Sequence, residues 1–186
     1  MTTRTIALTG VSGVGKSTLV RALSTAIPLE HLQASALIRE GRNATGDMVT
    51  QDQLRLINLD ENQRLLVAGF KLVTASKRGL VILDAHTVIE KGDELAPIDA
   101  AVFKAIKISA MIFLEDDPKA IAKRRRSDAS RIRPLPNVDR LGQIQDFARE
   151  QAFMICHELG VDLLIYRPNQ FAAISAALVG QSVDGG

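Results

Sequence analysis

Tryptophan is missing from the 186 residues, and tyrosine and cysteine occur once each. A single cysteine closes no intrachain disulfide, so stability has to come from a hydrophobic core. Cys156 lies in the apolar pattern Phe153-Met154-Ile155-Cys156 and reads as a buried, inert thiol rather than a nucleophile. No stretch approaches the roughly 18 apolar residues that a membrane span needs. Met1-Thr2-Thr3-Arg4 runs almost at once into an apolar strand pattern, leaving no hydrophobic signal segment before it. These absences lead us to expect a cytoplasmic protein with no membrane partner. A large excess of one charge is lacking too, since the formal net charge is only +2.

What is present is the balance of an ordered chain: 46% hydrophobic and 24% charged residues. The length suits one domain, expected over residues 1–180, followed by a flexible tail at 181–186. Continuous apolar runs at Ile6-Ala7-Leu8, Leu80-Val81-Ile82-Leu83 and Ile108 to Leu114 carry the signature of strands covered on both faces. Leu29-Glu30-His31-Leu32 is a weaker strand candidate, and Val161 to Tyr166 is the last. Helical periodicity fills the intervals at Lys16–Ala26, Gln33–Glu40 (ended by Gly41), Asp60–Lys77, the stretch through Phe103, Asp139–Leu159 and Gln170–Val179. A further helix starts at Asp116-Asp117-Pro118, and Glu90–Pro97 reads as a loop. The alternation predicts an α/β fold: a mainly parallel five-stranded sheet with helices on both faces.

Between the first strand and first helix stands Gly10-Val11-Ser12-Gly13-Val14-Gly15-Lys16-Ser17, which satisfies every position of the phosphate-loop pattern. A glycine-rich turn can aim successive backbone N–H groups at one phosphate, and the following helix adds the positive end of its dipole. The expected ligands are ATP, held by Gly10, Ser12, Gly13, Val14, Gly15, Lys16, Ser17 and Thr18, and Mg²⁺. Lys16 should reach the β and γ phosphates and Ser17 should ligate the metal. Asp84, at the end of the Leu80–Leu83 strand, has the position of an acid that holds Mg²⁺ through coordinated water. A loop cap is the alternative. His86 and Thr87 follow, either lining an acceptor site or making local hydrogen bonds.

Charge is concentrated between Lys123 and Arg133, where six bases fall within eleven residues. Such a cluster can close over a triphosphate as a lid, here expected at about 124–138, or form a solvated basic face. Without aromatic interleaving it gives little support to nucleic-acid stacking. Residues 35–59 form the natural acceptor-binding insertion, in which Asp52 and Arg55, together with Arg64 on the next helix, either engage an acceptor or pair at the surface. Phosphoryl transfer to a nucleotide acceptor is the leading reading. A kinase for a nucleoside or other small hydroxyl compound and a nucleotide-switched regulatory ATPase are the alternatives.

The assembled motifs resemble the archaeal-type adenylate kinases over about Thr5 to Tyr166. They are Thr9–Thr18, Asp52-x-x-Arg55, the helix with Arg64, Asp84-Ala85-His86-Thr87, and Arg124–Arg133. The resemblance implies a nucleotide-kinase fold, Mg²⁺-dependent transfer of the ATP γ-phosphate to a nucleoside monophosphate such as AMP, and small-molecule partners. It further implies that Lys16 contacts ATP and that Asp84 lies near the metal. Arg55 and Arg64 would contact AMP, with Arg124, Arg131 and Arg133 on the lid side of the transfer site.

Overall fold

The computed structural model describes residues 3–45, 59–92, 94–127 and 137–180. Asp52, Arg55, Arg131 and Arg133, and most of the expected lid, lie outside the described residues. Among the described residues, seven strands and seven helices follow one another as β1 (Thr3–Thr9), α1 (Lys16–Ala26), β2 (Glu30–Gln33), α2 (Ala34–Thr45), α3 (Leu59–Thr74), β3 (Gly79–Asp84), β4 (Val88–Lys91), β5 (Glu94–Pro97), α4 (Ala100–Ile106), β6 (Ile108–Leu114), α5 (Pro118–Ser127), α6 (Val138–Leu159), β7 (Asp162–Tyr166) and α7 (Phe171–Gly180).

Five strands form one sheet in the order β2-β3-β1-β6-β7, with every neighbouring pair parallel. The three central strands are the three apolar runs, and Ile6 to Leu8, Val81 to Leu83 and Ala110 to Leu114 are buried without alternation because helices cover both faces. α1 packs with α7, while α3, α4, α6 and α5 form a second continuous group. The chain leaves β1 for β2 and β3 on one side and reaches β6 and β7 on the other, so the carboxyl end of β1 is the switch point where an open sheet parts its connections. The phosphate loop begins there.

Two readings of the sequence are corrected. Residues within Glu90–Pro97 belong to an antiparallel hairpin, β4 paired with β5 from Val88↔Pro97 to Lys91↔Glu94. Its four-residue strands are too short for alternation to show, and the glycine and acidic residues between them carry a turn signal. Gly41 does not stop α2, which continues to Thr45. Gly41 faces α3, where a Cβ would strike the Leu65 carbonyl, and Gly69 on α3 returns the relation, its Cβ position lying against the Leu37 carbonyl. The pair lets two helix backbones touch, a packing role that looks like a stop signal in one dimension. Cys156 is buried as expected, and burial, reinforced by the Asp162 charge, pushes its thiol up to about 11.

Candidate functional site

Gly15, with φ +115°, precedes the first residue of α1, so the chain enters the helix directly from the loop and Lys16 is its first turn. Val14 is fully buried, anchoring the loop from below, and its N–H is held by the Val11 carbonyl at 3.3 Å. Gly13 has φ +81°, and a Cβ there would stand 2.8 Å from the Arg125 Cγ, so conformation and space both require glycine.

Lys16 is 7% exposed, its Nζ donating to the Gly10 carbonyl at 2.9 Å and standing 3.7 Å from the Asp84 carboxylate. Parallel pairing of β1 with β3 sets Asp84 opposite Leu8, two residues before the loop. Register therefore brings acid and lysine together. Burial alone would raise the Asp84 pKa, but the His31 imidazole and the Lys16 and His86 charges outweigh it and hold the carboxyl below its ordinary value. His86 also reaches the Gly10 carbonyl, at 3.0 Å through Nδ1. A carbonyl only accepts, so Nδ1 carries the proton.

These groups border a polar cavity of about 640 Å³, lined by Ser12, Gly13, Gly15, Lys16, Ser17 and Thr18 of the loop and by Asp84, His86 and Arg124. Ala34 and His86 also line an adjoining cavity of about 660 Å³, largely apolar, with Ile38, Leu66, Ile89, Ile98 and Phe103 in its walls and Asn62, Gln63, Glu90 and Lys91 supplying polar atoms.

The structure does not gather every expected residue. Thr87 is 1% exposed and donates to the Ala148 carbonyl at 2.8 Å, tying the start of the hairpin to α6 rather than facing a ligand. Arg64 is exposed and lines a separate open groove with Asp60, Lys71 and Asp99. Arg124 does face the phosphate cavity, donating through Nε to the Gly13 carbonyl at 2.8 Å and pairing with Asp116.

Two residues at the site were not singled out as site residues by the sequence. His31, at the sheet edge, has Nε2 3.9 Å from Asp84 because β2 pairs beside β3. Only the β2–β3 register could have revealed it. Arg125 is buried, donating to the Ser12 carbonyl at 2.8 Å and to Glu90 at 2.8 Å. A buried arginine beside two exposed ones leaves no mark in a basic run.

A phosphate loop at the switch point of a parallel sheet ordered β2-β3-β1-β6-β7 defines the P-loop nucleotide-kinase fold. Over residues 9–142 the chain matches a family described as an AAA domain, and it belongs to that family. It is similar to the adenylate kinase of Methanoculleus marisnigri, 25% identical over 176 residues that span 89% of this chain and 90% of that one. The adenylate kinase of Thermoplasma acidophilum is 27% identical over 146 residues, 76% of this chain and 77% of that one. Among solved structures, a tunicamycin resistance protein from Deinococcus radiodurans superposes with a TM-score of 0.60 at 15% identity, covering 97% of this chain and 96% of that one. Shikimate kinase from Acinetobacter baumannii, solved with shikimate, gives 0.57 at 16% identity, covering 98% and 97%. At such identities the structural likeness establishes the fold.

Proposed function

We propose that the protein transfers the γ-phosphate of ATP to a nucleoside monophosphate, with AMP the first acceptor to try. The carrying observation is the pair of adjoining cavities, one polar and built on the phosphate loop, the other largely apolar, joined at His86. The polar cavity suits a triphosphate chain. The apolar one suits a flat heterocycle whose own phosphate points back toward the loop. The adenylate kinase relatives support this reading of the acceptor.

An attacking phosphate oxygen is already anionic, so the reaction needs alignment and charge more than a general base. Lys16 and the loop N–H groups would hold the donor phosphates, and Arg124 would add charge from α5. The apolar walls would keep water from competing as acceptor. Arg131 and Arg133 are proposed to close the lid side, and Asp52 and Arg55 to engage the acceptor, on the strength of their spacing.

The residues present fit Mg²⁺. That ion is held by few protein groups plus substrate phosphates, and Ser17 and an Asp84 kept ionised border the same cavity. When bound it would neutralise charge developing on the phosphate oxygens. Among the described residues no helix is long and apolar enough to cross a membrane.

Purified protein incubated with Mg-ATP and each nucleoside monophosphate in turn tests the proposal. We expect a diphosphate whose formation depends on the acceptor, fastest with AMP. Release of the terminal phosphate to water alone, whatever acceptor is offered, would refute it.

A further inference from the structure

The consecutive arginines at the end of α5 leave the helix in different directions. Arg124 is exposed and meets the loop at Gly13 from the phosphate cavity. Arg125 turns inward, its side chain 3% exposed. Its Nε donates to the Ser12 carbonyl at 2.8 Å, and its two terminal nitrogens face the two oxygens of Glu90 at 2.8 and 3.4 Å. Glu90 belongs to β4 and lines the apolar cavity, so one guanidinium spans the wall between the two sites.

A guanidinium is planar, and its five N–H donors cannot turn independently. Orienting the terminal nitrogens on a carboxylate therefore orients Nε. The peptide bond is planar as well, and the described chain has no cis peptide. Holding the Ser12 carbonyl on one side thus directs the Gly13 N–H to the other. That N–H belongs to the set through which a phosphate loop grips its ligand.

We propose that Glu90 and Arg125 act together as positioning residues for the donor site: Glu90 sets the plane of the Arg125 guanidinium, which sets the Ser12–Gly13 peptide. Nucleotide affinity then depends on a carboxylate that borders the other cavity, and an acceptor pressing on Glu90 bears on the loop. The second consequence rests on the acceptor reading above. The first does not.

Calorimetric titration with Mg-ADP, in the absence of any acceptor, tests it. We expect Glu90→Gln to weaken ADP binding about tenfold, the scale of one lost charge-assisted contact. Arg125→Lys should weaken it at least as much, and the double variant should be within about twofold of Arg125→Lys alone, since the two residues act as one unit. Glu90→Asp, which keeps the charge and shortens the reach, should fall between Glu90→Gln and the unsubstituted protein and serves if Glu90→Gln does not fold. Arg78→Ala is the control and should bind ADP normally, since Arg78 bonds to the Lys77 carbonyl and precedes β3, whose other end carries Asp84.

A purely structural pair would lower the melting temperature and leave ADP affinity within twofold, which overturns the proposal, as do additive losses in the double variant. A Glu90→Gln change confined to the monophosphate KM also overturns it, making Glu90 an acceptor contact only. Should no monophosphate be phosphorylated while Glu90→Gln loses ADP affinity, the acceptor reading falls and this one stands.

Discussion

The two adjoining cavities are nearly equal in volume, about 640 and 660 Å³, and are made in opposite ways. The polar one is built around a single stretch of chain, Val11 to Thr18, bent by glycines and completed by polar groups from β2, β3 and α5, among them Asp84 and Arg124. The apolar one is assembled from side chains of α2, α3, α4 and the β4–β5 hairpin, drawn from across the stretch between Ala34 and Phe103. A site made of consecutive main-chain groups has its ligand written in its shape. One made of scattered apolar side chains is shaped by packing, and its selectivity can drift while the fold persists.

Breaking the first cavity should give the largest effect. Lys16→Ala is expected to lower ATP turnover by about 100-fold or more, the scale of removing a preorganised charge from a transfer site, with the far-ultraviolet dichroism unchanged. Breaking the frame of the second should appear first as lost stability. Gly69→Val drives a side chain into the Leu37 carbonyl and is expected to cost about 3 kcal/mol or more in urea unfolding, because α2 and α3 cannot separate cheaply.

Separating the two sites requires gentler changes. Ile38→Asn, in the apolar wall, is expected to raise the monophosphate KM by about tenfold and leave the Mg-ADP affinity within twofold. Equal losses at both sites would erase the distinction. The smallest effect concerns acid stability. The Asp84 pKa is lowered in the folded state, so the native protein binds fewer protons than the unfolded chain as its carboxyl titrates. The stabilisation is complete above the ordinary carboxylate pKa of about 4 and is lost as pH falls through the folded value. Asp84→Asn should flatten that part of a pH series of melting temperatures; an unchanged series would show that its charged neighbours confer no net stability.

Legibility in the sequence followed the same division. The three central strands announced themselves because burial on both faces leaves uninterrupted apolar runs, and the phosphate loop did so because its eight residues act locally. Asp84 was readable as a strand end, but its pairing with Lys16 required the β1–β3 register. Glu90 was not readable as a partner of Arg125, since thirty-five positions separate them and only the hairpin brings them together. Thr87 was left open between an acceptor site and hydrogen bonding, because a polar residue beside a site residue points either way; its hydroxyl bonds to α6. Arg64 could be assigned to a helix but not to a face of it, and it lines a groove other than the two adjoining cavities.

One oxygen has a consequence for ligand choice. Lys16 and His86 both meet the Gly10 carbonyl, so the cationic head is tied to its own main chain. An incoming group gains only the excess of its attraction over that carbonyl and over the Asp84 carboxylate 3.7 Å from the lysine. Weakly basic inorganic anions offer little such excess, whereas a polyphosphate that engages the lysine and several loop amides at once offers a great deal. The contact is thus a threshold that favours multidentate guests over simple ions of the surrounding solution.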